Sequence, residues 1–207
     1  MRPRPGWTYA ALVDPNELLT PAILVPIAVV VVLLLGAGIA VFTVLSGKKG
    51  ARSLQQWTRG AYSMWTGGED SGTWTAERAQ KSLASWYGAT GPGKFWEVIA
   101  GLRAGRTGNI SWDRVRAFDL LRIGFAAKFI DDDQCWTEAG KIALELQPKF
   151  RSWEELAQAF ESGMQSWQRS SGISDPAETG RVQRHLPRLR SEIWPQVRYD
   201  ARLATGE

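Results

Sequence analysis

Four charged residues of alternating sign are the first place to look for chemistry. Asp113, Arg116, Asp119 and Arg122 recur every third position in "SWDRVRAFDLLRIGFAAKF". On a helix this spacing lays them along one side that drifts slowly around the axis. Two readings are open. Exposed, the four would be a ladder of i,i+3 ion pairs, each worth about 0.2–0.5 kcal/mol. Partly buried, they would be a polar strip that fixes a neighbouring helix or receives a partner's charge. The strip borders an apolar stripe of Val115, Phe118, Leu121 and Phe125, which argues for burial along one edge. These four are the candidate binding residues.

Other patterns carry less. "GATGPGK", Gly88 to Lys94, has the G-x-x-x-x-G-K spacing of a phosphate-binding loop. Such a loop follows a strand and places Ser or Thr after the Lys to reach Mg²⁺. Here Phe95 takes that position and the preceding "KSLASWY" reads as helix, so a helix–helix connection is expected. Asp131, Asp132 and Asp133 lack the alternate spacing of a calcium loop and suit the positive end of a helix dipole. One Cys and one His exclude a four-ligand zinc site and an intramolecular disulfide. His185 lies among Arg181, Arg184, Arg188 and Arg190. Their charge opposes its protonation and no carboxylate lies within a turn to orient it as a base, so a surface histidine is expected. The arginines lack the interleaved aromatics of a single-strand binder, and nucleic acid is not expected as a partner. "NIS" at Asn109 has the glycosylation spacing, which carries no role in a cytoplasmic domain. No catalytic residue, metal site or cofactor is assigned, and the chain is read as a non-enzyme.

Residues 21–47, "PAILVPIAVVVVLLLGAGIAVFTVLSG", carry no charge and are long enough to span a bilayer. Lys48, Lys49, Arg52 and Arg59 follow closely, whereas Arg2 and Arg4 lie far from the apolar edge. The positive-inside rule then puts the C-terminal part in the cytoplasm. A cleaved signal peptide fits less well, because the apolar run starts late and is long. Gly36 and Ala40 have the small-x-x-x-small spacing that would let two membrane helices pair into a homodimer; the alternative is ordinary membrane-helix composition. A lone Cys135 fits a reducing compartment.

The rest of the 207 residues, 44% hydrophobic and 22% charged, has a globular balance. Residues 48–75 read as a basic juxtamembrane segment and linker, in which the first half of 53–75 could form a short helix and the second half is a loop, after a short tail at 1–20 and the membrane helix at 21–47. Residues 76–207 read as an all-α domain of five or six short helices, since no run alternates long enough for a strand. Gly88 and Gly105 close the first two helices, and Ser111 is the expected cap of the third. Asp131 with Gln134, and Ser152 with Glu155, have capping-box spacing. Leu156, Phe160, Met164 and Trp167 share one helical face, and Gly163 among them marks a close approach of another helix. Eleven Trp is an excess, with large area to bury and N–H groups to satisfy.

The stretch from "WDRVRAFDLL" through "CWTEAGK" to "FRSWEELAQAFESGMQSW" resembles the bacterial domain-of-unknown-function family 1266. The resemblance rests on Trp112, Asp113, Arg116, Arg122, Gly124, Trp136, Phe150, Ser152, Trp153, Glu154, Gly163 and Trp167. "FESGM" stands where the family pattern has Tyr-Leu-Leu-Gly-Arg, and "KFI" where it has Gly-Tyr-Ile. The resemblance implies a helical fold and no established activity. Trp112, Trp136, Trp153, Phe160, Gly163 and Trp167 are the expected structural anchors.

The function expected from all this is display. A single-pass protein of the bacterial inner membrane, held in the bilayer by its anchor, would present an all-helical domain to an unidentified protein partner at or near the membrane. Two alternatives stand beside it: an immunity-type protein that neutralises a toxin, and a phosphate- or nucleotide-binding enzyme that uses Lys94 and the C-terminal arginines.

Overall fold

The computed structural model describes residues 52–172 and 180–203. The apolar run at 21–47, with its expected membrane helix and Gly36–Ala40 pairing, lies outside them. No helix among the described residues is long and apolar enough to cross a membrane.

The described residues form seven α-helices and no strand. The first, α1, covers residues 52–66. Then follow α2 (Ala76–Tyr87), α3 (Pro92–Arg103), α4 (Ile110–Ala126), α5 (Asp132–Leu146), α6 (Trp153–Ser171) and α7 (Arg181–Arg188). The count exceeds the expected five or six because residues 52–66, within the expected linker, form a helix that joins the domain. Leu54, Trp57, Ala61 and Met64 lie on one face of α1 and are buried, a spacing that matches the helical period. Tyr62 is buried beside them. Gly, Ser and Thr scattered through this segment obscure that period in the sequence. Gly60 lets α1 approach α6: a Cβ there would lie 2.8 Å from the ring of Trp153.

Helix α4 is the axis of the domain. It packs against α2, α3, α5, α6 and the 3₁₀ turn Ser71–Thr73. It is therefore buried almost all round, including Asp113, Arg114, Asp119 and Arg122. The exposed ion-pair ladder is thereby excluded, and none of the four strip residues pairs with another. Val115, Phe118 and Leu121 are buried as the stripe requires, while Phe125 is half-buried. Each large side chain fully buried here, Trp57, Phe95 and Phe118 among them, contributes about 1.5–3 kcal/mol of transfer free energy.

Local chemistry sets the boundaries. Thr75 caps α2, and Gly88 ends it in the left-handed region at φ 65°. Pro92 occupies the first turn of α3, where its missing N–H costs nothing. Asn109, not Ser111, caps α4: its Oδ1 accepts from the Trp112 N–H, and the Ser111 hydroxyl donates to the same oxygen. A two-residue shift is within what short polar clusters permit, because Asn is as good a cap as Ser. The capping box of Asp131 and Gln134 is complete. Ser152 accepts from the Glu155 N–H, and the Glu155 carboxylate reaches the Arg151 N–H one residue earlier than a capping box would.

Two deviations interrupt this regularity. Lys128, after α4, has φ 63°, where a side chain is strained by about 1–2 kcal/mol. It occupies the place where the family pattern has Gly. Pro187 lies inside α7, and the chain continues as a π-turn, Leu189–Ile193, and a 3₁₀ turn, Trp194–Gln196. A proline cannot donate to the helical ladder, so the winding loosens beyond it.

Residues 194–201 are clasped by indoles. Trp57 Nε1 donates to the Tyr199 carbonyl at 2.8 Å, Trp153 Nε1 to that of Val197 at 3.2 Å, and Trp194 Nε1 to that of Gly60 at 3.2 Å. Trp153 stacks on Trp194 at 5.9 Å between ring centres. Trp153 is thus an anchor, and so is Phe160, which is fully buried. Gly163 meets Asn109, the cap of α4: a Cβ there would overlap the Asn109 amide. Trp136 is half-buried and donates to Asp132 on its own helix.

Candidate functional site

A cavity of about 650 Å³ opens where the C-terminal ends of α1 and α2 meet α4, α6 and α7. Each wall brings an aromatic ring. Trp65 comes from α1, Trp74 from the turn before α2, Trp86 and Tyr87 from the last turn of α2, Trp112 from α4 and Trp167 from α6. Trp112 is the hub. It packs on Phe160 at 5.2 Å and on Trp167 at 5.5 Å, and takes the edge of Trp65 at 5.5 Å. Its Nε1 is buried without a hydrogen-bond partner. Trp86 stands at the mouth and is 63% exposed. The other described aromatic rings are buried or half-buried.

The polar groups of the cavity come mainly from α4. The Arg116 guanidinium carbon lies 4.9 Å from the ring centre of Trp112, 5.0 Å from Tyr87 and 5.7 Å from Trp167. These rings hold it by cation–π attraction. Its Nε is buried without a partner, and it forms no ion pair among the described residues. Arg116 also borders a smaller cavity of about 200 Å³ on its other side. One turn on, Asp119 is 4% exposed. Ser71 donates to its Oδ1, and no other hydrogen bond or ion pair reaches it among the described residues. Burial pushes its carboxyl up to about 6, against the opposing pull of the Ser71 hydroxyl and Arg116.

Helix α7 supplies Arg181 and His185. The Arg181 guanidinium lies 4.3 Å over Trp65. His185 is half-buried rather than a surface residue. Its Nδ1 donates to the Met64 carbonyl at 3.1 Å, and burial, more than the nearby Arg181, Arg184 and Arg188, holds its pKa below the usual histidine value. Gly67, at φ 68°, makes room: a Cβ there would sit 2.9 Å from the imidazole. The sequence could not foresee this, because the carbonyl that binds the ring is 121 residues away.

The four-residue strip therefore divides. Asp113 accepts from the Thr107 N–H at 3.1 Å and its hydroxyl at 2.9 Å, and so closes the α3–α4 loop. Arg122 pairs with Asp70, whose carboxyl it holds below the ordinary range against the opposing effect of burial. It also lies 4.9 Å over Trp136. Both are structural. Arg116 and Asp119 face the cavity.

Two other depressions hold arginines that are matched by carboxylates. One of about 610 Å³ holds Arg103 and Arg114, paired with Glu138 and Glu145. One of about 430 Å³ holds Arg190, paired with Glu154 through two bonds. Lys94 pairs with the exposed Glu97 at 2.7 Å, and its loop joins α2 to α3 with no strand before it. Asp131–Asp133 form the start of α5, and no metal-binding cluster occurs among the described residues. Cys135 is buried against the Leu121 carbonyl, and burial pushes its thiol up to about 11.

Trp65, Trp74 and Trp86 are the site residues that sequence patterning missed. Their one signal was the excess of Trp, which has no period to place it.

The described residues thus define an all-helical domain built around one aromatic-walled cavity. The chain belongs to the family described as protein of unknown function (DUF1266), whose model matches residues 48–194. No curated protein and no solved structure matches the chain.

Proposed function

We propose that this chain works by recognition rather than by catalysis. In this reading the apolar run at 21–47 anchors it once in a bacterial inner membrane. The helical domain faces the cytoplasm, where it meets a protein partner at or near the bilayer. Lys48, Lys49 and Arg52, directly after the apolar run, support that orientation. Tethering raises the domain's effective concentration for such partners.

The observation that carries the reading is the pair Arg116 and Asp119, both without an ion pair among the described residues inside an aromatic-walled cavity. Charges left without partners at low exposure destabilise a fold. They make physical sense where a ligand completes them. The hydroxyl and imidazole nearby are engaged with Asp119 and Met64, an arrangement that holds shape rather than activates a nucleophile.

The test is crosslinked capture from native membranes with the full chain and with a control ending at residue 50. A partner retained by the full chain alone supports the reading. A blank from a folded full chain overturns the partner at the membrane. Protease added outside spheroplasts is expected to spare the domain; cleavage would overturn its orientation.

A further inference from the structure

Arg116 and Asp119 lie one turn apart on α4 and line the same cavity without pairing. Each is incomplete in its own way. The Arg116 Nε is a buried donor with no acceptor. Asp119 has Oδ1 satisfied by Ser71 and no partner at Oδ2 among the described residues. An anion would complete the first and leave the second facing a like charge. A cation would do the reverse. A group that carries both signs completes both at once.

The walls restrict the rest of the molecule. The faces and edges of Trp65, Trp74, Trp86 and Trp167 enclose the space beyond the charged pair. Such walls favour a flat apolar body with few polar groups. The volume of about 650 Å³ lies within the ordinary range of small-molecule sites.

We infer that the cavity takes a free α-amino acid with an aromatic side chain, its carboxylate on Arg116, its ammonium on Asp119 and its ring among the tryptophans. The inference rests on the part of the reading above that makes the cavity a recognition site, and names a small ligand for it beside the protein partner. A peptide terminus is a poorer match, because it brings one of the two charges and an amide in place of the other. Trp86 at the mouth then acts as the outer face against which the ring stacks.

The experiment titrates the full chain with L-phenylalanine at pH 8 and follows tryptophan emission, to which phenylalanine contributes little. N-acetyl-L-phenylalanine lacks the ammonium and phenylalanine amide lacks the carboxylate. L-Phenylalanine is expected to saturate the signal, and each blocked analogue to bind at least ~10-fold more weakly. Asp119→Asn keeps the acceptor for Ser71. It is expected to remove most of the difference between phenylalanine and its N-acetyl derivative, by weakening the first and, with the like charge gone, tightening the second. Equal affinity for phenylalanine and the N-acetyl compound would overturn the inference and leave an anion-recognition cavity. No saturable response from any of the three up to about 10 mM would also overturn it. Membrane capture, which does not depend on this ligand, decides the recognition reading separately.

Discussion

Arg116 and Asp119 stand three residues apart on α4, border one cavity and leave each other unpaired. Elsewhere the same helix matches its charges: Arg114 with Glu145, Arg122 with Asp70. The mismatch is therefore local to the cavity, and it has a thermodynamic signature.

Asp119 is expected to destabilise the domain at neutral pH. Its carboxyl is raised from 3.8 to about 6, so the folded state favours the protonated form. Stability from this group is full below the unfolded value and is lost as pH rises through about 4 to about 6. Asp119→Asn removes the penalty and is expected to stabilise at pH 8 by on the order of 1–3 kcal/mol, with little gain at pH 4. Urea unfolding at the two pH values measures both. A loss of stability at pH 8 would show that the carboxylate is matched in some other way.

Binding of phenylalanine is expected to weaken as pH falls through about 6, because a protonated Asp119 no longer attracts an ammonium. The groups around it are Arg116, Arg181 and Asp70, with Tyr62 and Tyr87 coupled to it and Glu69 and His185 on the same cavity. Of these, His185 gains a proton only below its lowered pKa. Asp119→Asn is expected to flatten most of the profile. Tighter binding at pH 5 than at pH 8 would sink the assignment of the ammonium to Asp119.

Lys128→Gly is expected to stabilise the domain by about 0.5–1 kcal/mol. The residue sits at φ 63° after α4, and glycine adopts that region without the steric penalty. The lost contact is that of its ammonium with Phe125, at 5.2 Å, which is weak at an exposed site. The midpoint of urea unfolding reports the change, and a lower midpoint would refute it.

Two glycines separate close packing from chain flexibility. A methyl group at Gly124 would overlap the Phe95 ring, which is fully buried, and at Gly163 it would overlap the Asn109 amide. Gly124→Ala is expected to cost about 1–3 kcal/mol. Gly163→Ala is expected to cost about 0.5–2 kcal/mol by displacing the α4 cap. Restoring part of the second loss with Asn109→Gly, which vacates the space, would identify the clash; additive losses would argue against it.

What was legible in the sequence was local. The Asp131–Gln134 box, the Ser152 cap and the Gly88 stop depend on residues within a few positions, and each is in place. The family pattern was also legible, and it marks the part of the chain that matches the family model. Helix α1 was legible only as a short candidate helix, and its place in the core was not, because its apolar period runs through glycine, serine and threonine. The candidate site was half legible: the strip on α4 was found, but not its division. Whether a charge on a buried helix is structural depends on what distant segments bring to it. Thr107 and Asp70 reach Asp113 and Arg122, while Arg116 is surrounded by aromatic rings and has no ion pair among the described residues. Trp65, Trp74 and Trp86 gather from three separate elements, and only their number hinted at it.

The indole clasp has a consequence for synthesis. Trp57 donates to a carbonyl 142 positions further along the chain, and a chain leaves the ribosome from its N-terminal end. The Trp57 ring can pack on Phe118 and Trp153 before that carbonyl emerges, but its N–H must wait for residue 199. Until then the N–H groups of Trp57 and Trp153 lack the carbonyls that accept from them in the folded domain. A nascent chain stalled at residue 193 is expected to be cut readily by added protease, and one extended past residue 203 to resist.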